Sequence, residues 1–357
     1  MKKWVTVLLA VCIAVGFTGC MDFLPGDDRQ SGGKGPSSEG VVYQLSQDGE
    51  SASVIDYTGN ATQVAVSSTY ENKPVVAIEN GAFEGADKMQ RIDVPDGVLS
   101  IGEKAFENCT SLKEIRFPDS LTSLSNDAFE NCTRLTKAIA PFAVVSALPA
   151  TIDNLQLNAV TEAGICDFMG WHHLTGVELS EGVTEIGNLA FYNCINLQSI
   201  RFPNTLEIIG AYAFKGCKKL ESITLPESLK TIKKYAFNAC SGLKSVVLAS
   251  AIDTVGEYAF NNCSGLKTLV VPHTIVKMQS RVFRDCYDLV LYCTGESRPE
   301  AWSSVWHGGC DFYWYSETEP ALKQDGSAYD GRFWRYVDGE ITPWVYEVPE
   351  TPEQSVE

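Results

Sequence analysis

The chain has 357 residues, and 28 Lys and Arg stand against 45 Asp and Glu for a net charge of −17. Phosphate recognition needs clustered Lys and Arg, so this balance excludes nucleic-acid binding from the expected functions. An acidic surface instead keeps a chain soluble and apart from anionic membranes.

Residues 1–20 read as an export signal, with Lys2 and Lys3 as the basic start, Trp4 to Val15 as the apolar segment and Phe17-Thr18-Gly19-Cys20 as the end. An apolar segment this short is a poor spanning helix, and nothing later in the chain is suited to span a bilayer. The Phe-Thr-Gly-Cys ending resembles a bacterial lipobox. That resemblance implies a signal peptide over residues 1–19, cleavage before Cys20, acylation of Cys20 and attachment to a membrane through the lipid anchor, at the bacterial cell surface or outer membrane. Plain secretion is the alternative. Several acyl chains, at about 0.8 kcal/mol per buried methylene, would hold the protein stably. Residues 20–40 are rich in Gly, Ser, Asp and Pro and are expected to form a flexible tether. Residues 41–73 alternate apolar and polar types around turn signals at Asp48-Gly49 and Gly59-Asn60, which predicts a β cap over the repeat region that begins at residue 74.

From residue 74 to about 290 the sequence repeats itself. LQSIRFPNTLEIIGAYAFKGCKK is followed by LESITLPESLKTIKKYAFNACSG and LKSVVLASAIDTVGEYAFNNCSG. Phenylalanine recurs at Phe83, Phe106, Phe129, Phe168, Phe191, Phe214, Phe237, Phe260 and Phe283, in steps of 23 except for a step of 39 after Phe129. A fixed period of this length carrying L-x-x-I-x-L marks a leucine-rich-repeat solenoid, in which each unit buries its apolar face against the next. The predicted fold is therefore a mainly β repeat solenoid, a right-handed coil of about nine 23-residue repeats between a β-rich N-terminal cap and an aromatic-rich C-terminal cap.

Within residues 220–242, Leu220, Ile223 and Leu225 alternate as a short strand, Leu229 and Ile232 come after the Pro226 turn, and Ala236, Phe237 and Cys240 close the coil. Period two places Ile223 and Leu225 in the core and Ser222 and Thr224 outside. Stacked coils are expected to form one parallel sheet at roughly 4.8 Å per strand, a rod on the order of 40 Å long. The 16-residue excess after Phe129 falls in residues 136–164, which keep Leu155 and Leu157 and are expected to lengthen one coil as a surface bulge. A dedicated binding loop is the alternative.

Residues 291–348 hold five of the seven Trp, namely Trp302, Trp306, Trp314, Trp334 and Trp344. Such rings could stack on sugars, but the fold requires an end cap, and capping is the expected role. Residues 349–357 are expected to be a disordered tail.

Of the twelve Cys, Cys109, Cys132, Cys194, Cys217, Cys240, Cys263 and Cys286 occupy one slot, three residues after each Phe. Neighbours in this ladder would point their Cβ vectors in parallel, a poor geometry for bonding, so buried free thiols are expected. Cys293 and Cys310 lie outside the ladder and are the disulfide candidates, with Cys166 left over. No C-x₂₋₄-C pair occurs and only four His are present, so no metal site is expected. The chain has no G-x-S-x-G, H-E-x-x-H or Gly-rich phosphate loop, and neither catalytic residues nor a cofactor are expected. His172 and His173 stand beside Trp171, which replaces a ladder Cys. A metal or base role is conceivable for them, but placement in a surface loop is the expectation.

The repeats AFENCTSLKEIRFPDSLTSL, AFYNCINLQSIRFPNTLEIIG and AFKGCKKLESITLPESLKTI resemble the BspA-type bacterial leucine-rich repeat, also found in treponemal and trichomonad surface proteins. The likeness spans residues 74–290. It implies a cell-surface protein, some members of the family binding host matrix proteins or mediating adhesion and coaggregation. No family binding motif maps onto individual residues here.

The expected function is that of a non-catalytic, monomeric surface lipoprotein that binds a macromolecular ligand, a host or bacterial surface protein or a glycan. The alternative is a structural or envelope-assembly module without a host ligand. Outward strand positions are charged in the early coils (Arg91, Asp93, Glu114, Arg116, then Glu178 and Arg201) and become Ser222, Thr224, Ser245, Val247, Thr268 and Val270 later. An exposed β-branched and hydroxyl strip of this kind is the candidate binding face. The competing reading is that Val and Thr merely suit strands.

Overall fold

The computed structural model describes residues 37–158, 168–318 and 332–344. Cys20, Cys166 and the acidic tail lie outside them. Among the described residues, no helix is long and apolar enough to cross a membrane.

Each coil has three sides, each built by a recognisable part of the repeat. The L-x-x-I-x-L segment supplies the first side, as in Ser222–Thr224, where Ile223 is buried and Thr224 exposed. Proline then turns the chain, the N–H of Leu229 donating to the carbonyl of Pro226 at 3.0 Å. A two-residue strand such as Thr231–Ile232 forms the second side and buries Ile232. The A-F-x-x-C segment makes the third.

Stacking yields parallel sheets along two sides of the rod where one was expected; in the first coils the second side is a separate sheet of Lys73–Ile78, Ser100–Ile101 and Ser123–Leu124, extended by Ala52–Tyr57 and antiparallel Val41–Leu45. The first sheet runs through Gln63–Ala65, Arg91–Asp93, Glu114–Arg116, Lys137–Pro141, Asn154–Asn158, Gly176–Leu179 and Ser199–Arg201. It resumes in Ser222–Thr224 and Ser245–Val247, then in Thr268–Val271, Val290–Cys293, Asp311–Tyr315 and Arg332–Val337, and closes on antiparallel Glu340–Pro343. In later coils the second side joins Glu185–Ile186, Ile208–Ile209, Thr231–Ile232, Thr254–Val255 and Lys277–Met278. On the third side, left-handed residues turn their N–H groups along the axis. Left-handed Leu189 and Asn193, with Phe191 between them, donate to the carbonyls of Ala211, Lys215 and Ala213 of the next coil at 2.7–2.9 Å. Asn108, Asn131, Asn193 and Asn262, all just before a ladder Cys, have φ of 55–63°; Asn tolerates that region best after Gly.

The solenoid has about 11 turns rather than nine. Part of the difference lies in the expected bulge over residues 136–164, whose described part, residues 136–158, forms a coil instead. Lys137–Pro141 and Asn154–Asn158 are adjacent strands of the first sheet, with Lys137 opposite Asn154, and the 3-10 helix Phe142–Ala147 sits between them. The excess is an extra, short coil: its Leu155 and Leu157 enter the core like any other repeat.

Phenylalanine rings form the centre of the rod. Phe83, Phe106 and Phe129 stack at 5.2 Å, and Phe168 through Phe260 stack in sequence at 5.0–5.2 Å with planes within 6° of parallel. The buried alanines preceding them leave room for this file, which a larger side chain would displace. Beside it runs the cysteine ladder. Each thiol donates to the carbonyl of the Phe in the preceding coil, from Cys109 to Phe83 at 3.1 Å through Cys240 to Phe214 at 3.1 Å and Cys286 to Phe260 at 3.1 Å. The slot thus supplies a small donor that fits between coils.

The expected bridge between Cys293 and Cys310 is not formed; both are buried free thiols. Cys310 in fact continues the ladder, donating to Phe283 at 3.2 Å, whereas Cys293 ends a strand of the first sheet. The two occupy different sides of the coil. The period that hid this is slightly irregular, since Cys310 lies 27 residues from its acceptor where ladder members lie 26 away.

Four of the five C-terminal tryptophans, Trp302, Trp306, Trp314 and Trp334, are core residues, and Trp344 is half-buried. Trp302, Trp306 and Trp334 are buried; Trp302 Nε1 donates to the carbonyl of Ile275 at 2.8 Å and Trp334 Nε1 to that of Cys293 at 2.9 Å. Burial with the indole N–H satisfied is the geometry of a plug, and it leaves these ring faces closed to a ligand.

Candidate binding surface

The outward row of the first sheet is the surface that the repeat leaves variable, because folding constrains only the inward positions. Parallel pairing sets Asp93 beside Arg116, Arg116 beside Ile139, Ile139 beside Gln156, Gln156 beside Glu178 and Glu178 beside Arg201. Apart from exposed Arg116, charges in this half pair with one another. Arg91 binds Glu114 at 2.9 Å and Asp93 at 3.1 Å, and Arg201 binds Glu178 at 3.3 Å. Half-exposed pairs of this kind contribute well under about 1 kcal/mol each, and they leave little uncompensated charge to attract a partner.

Toward the C-terminal end the row changes character. Ser222 and Thr224 lie beside Ser245 and Val247, and Thr268 and Val270 occupy the corresponding places on their strand; Thr224 and Thr268 are exposed, the others half-buried. Val270 is in register with Tyr292, and Tyr292 with Tyr313, the two rings stacking at 5.5 Å with planes 21° apart. These tyrosines belong to the same face, although the sequence period ended before them. The signal available in the sequence was the alternation in VLYC and DFYWY, which continues the strand pattern at a shortened spacing.

The His pair is not assembled into a site. His172 is exposed and its carbonyl accepts from Asn196 Nδ2 at 2.6 Å. His173 packs on Trp171 at 5.2 Å, with burial holding its pKa below the ordinary range. Among the described residues, no group of three His, Cys, Asp or Glu side chains could hold a metal ion. A shallow opening of about 200 Å³ near Tyr57, Asn60, Glu84 and Lys88 lies at the N-terminal end, away from the strip.

Coils of this geometry define a leucine-rich-repeat solenoid. The chain belongs to the BspA type leucine rich repeat family, whose family model matches residues 65–160 and 163–290 in 6 copies. Among solved structures, the chain is similar to a leucine rich repeat protein of T. pallidum, at 24% identity over 64% of this chain and 89% of that one, with a TM-score of 0.29. It is also similar to a leucine-rich repeat protein of Bacteroides ovatus, at 21% identity over 84% and 99%, TM-score 0.30. A third is a leucine rich cell surface protein of Faecalibacterium prausnitzii, at 21% identity over 80% and 96%, TM-score 0.30. No curated protein matches the chain.

Proposed function

We propose that the protein is a non-catalytic cell-surface scaffold that binds a protein or glycan partner along the C-terminal half of the first sheet and is held to the membrane through acylated Cys20. The observation that carries this reading is the change along one row of a rigid sheet. Self-paired ions give way to an uncharged strip in which Thr224 is in register with Val247 and, on the following group of strands, Val270 is in register with Tyr292, itself stacked on Tyr313. Val247 and Val270 need not be apolar for the coil to close, and an exposed apolar patch beside tyrosine is where partners dock, although Tyr292 also packs on Trp334 at 5.7 Å. The BspA-type repeat, with its resemblance to surface proteins, fits that location.

A glycan and matrix-protein array probed with the protein tests the reading. Val247→Asp with Val270→Asp should abolish capture of whichever ligand the array finds while leaving the melting temperature nearly unchanged, and charge reversal at Arg91 and Glu114 should matter much less. Undiminished capture by the double variant would remove the strip from the function.

A further inference from the structure

The third side of the solenoid carries a second surface, with different chemistry. Two residues before Phe214, Phe237 and Phe260 the backbone is left-handed, and in these three successive coils that position is Tyr212, Tyr235 and Tyr258, with φ of 57–60°. Their rings stack at 4.9 Å with planes 3° and 9° apart. Since each ring face covers the next, the row presents to solvent its edges and hydroxyls, repeated at the coil spacing. A phenol hydroxyl can both donate and accept, and at Tyr235 burial and the flanking rings push the hydroxyl above its ordinary range.

Cations stand at both ends of the row. Lys215 Nζ lies 5.5 Å from the Tyr192 ring and 5.6 Å from the Tyr212 ring. At the other end Arg281 donates to the Tyr258 hydroxyl at 3.1 Å, joined by Arg284 at 3.5 Å. Two acids stand nearby: Glu257 accepts from Ser280 Oγ at 2.7 Å and keeps its charge, and Asp285, 3.7 Å from Arg284, offsets that guanidinium, so Lys215 and Arg281 carry most of the positive charge of the row. In the first coils the position after the Phe is instead Glu84, Glu107 and Glu130, with Lys104 held between the last two at 3.1 and 3.6 Å. A chain of net charge −17 thus turns a cationic, hydroxyl-lined stripe outward on one half of one side.

We propose that this stripe binds an acidic polysaccharide lying along the solenoid axis. Lys215 and the Arg281 and Arg284 pair would engage its carboxylates or sulfates, roughly 15 Å apart at about 4.8 Å per coil. The tyrosine hydroxyls would engage its sugar hydroxyls between them. Stacked rings offer no free face for sugar stacking, which directs recognition to edge hydrogen bonds and charge. An acidic peptide would match the cations but brings few hydroxyls to meet the phenol row. This surface is separate from the strip on the first sheet.

The test uses the full chain and four immobilised probes: a sulfated glycan (heparin), a polyuronate, neutral dextran and polyglutamate. The protein should be retained on the first two and released by salt, with little retention on dextran. The triple variant Lys215→Gln, Arg281→Gln, Arg284→Gln should bind about tenfold or more weakly, charge contacts at such surfaces supplying that order of affinity. Tyr212→Phe with Tyr235→Phe keeps the ring stack and removes only hydroxyls, so it reads hydrogen bonding without risk to folding; it should weaken retention by about threefold, the worth of an exposed hydrogen bond. Val247→Asp with Val270→Asp should leave this binding intact, which separates it from the sheet reading. Undiminished binding by the triple variant, equal retention on dextran, or no retention of the wild-type chain on either acidic glycan would overturn the proposal. Stronger retention on polyglutamate than on the glycans would replace it with an acidic protein partner.

Discussion

Trp306 lies edge-on to Phe283, ring centroids 6.2 Å apart and planes at 79°, so the file of parallel phenylalanines ends on a ring turned across it. A parallel ring there would leave its own outer face wanting another neighbour. The crossed indole instead packs on Trp302 at 5.0 Å and 69° and closes the apolar end. Trp306→Ala should therefore do more than remove a buried side chain at about 3–5 kcal/mol. It should also expose the last coil and promote association, seen as a lower urea midpoint together with a larger species in light scattering. A monomer of unchanged midpoint would show that the cap is not needed.

In the middle of the file, Phe237 is held between Phe214 and Phe260, both at 5.1 Å. Phe237→Ala is expected to cost about 3–5 kcal/mol, and Phe237→Leu less because it fills part of the cavity. Because each coil contacts only its neighbours, the loss should break cooperativity as well as lower stability. Chemical denaturation followed by two probes, one at each end of the rod, would show the transitions separating.

Burial pushes the thiols of Cys194, Cys240 and Cys310 up to about 12. An unfolded thiol titrates near about 8.5. Below that pH both states keep the proton and the full stability is present. Above it the unfolded chain releases a proton that the folded chain retains, so stability falls as pH rises, by about 1.4 kcal/mol per pH unit for each such thiol until the folded group itself ionises. Urea midpoints should drop between pH 7.5 and 9.5, and Cys194→Ser with Cys240→Ser should flatten that dependence. The same protonation predicts that iodoacetamide leaves Cys194, Cys240 and Cys310 unmodified until the protein is denatured.

Ala239 occupies the left-handed slot that Asn fills in other coils, with φ of 59°. Alanine in that region costs on the order of 1 kcal/mol, and Asn tolerates it better. Asn131 Nδ2 also donates to Asn108 Oδ1 at 2.9 Å one coil away, a bond that Asn at position 239 could make with Asn262. Ala239→Asn should raise stability by about 0.5–1 kcal/mol, measured as a higher melting temperature. A lower one would mean that the slot requires a small side chain at this coil.

For the membrane attachment, Cys20→Ser should release the protein from the membrane fraction. Persistent partitioning of that variant into detergent would rule out the lipid anchor.

The repeat was legible because a solenoid writes its core once per coil: the 23-residue step, the inward Ile223 and Leu225, the Phe file and the thiol slot all arise from local periodicity. Alternation likewise marked Ser222, Thr224 and Val247 as outward. Sequence spacing could not tell an inserted loop from an inserted coil. Lys137–Pro141 and Asn154–Asn158 became neighbours only when their strands paired, because parallel pairing depends on register in space. Cys310 was misplaced for the same reason, its slot being set by the turn that carries Trp302 and Trp306. Nor could the row of Tyr212, Tyr235 and Tyr258 be read as a surface beforehand. Tyrosine recurring beside a core Phe suits burial equally well, and it is the left-handed backbone at those residues that turns their rings out to stack along the axis.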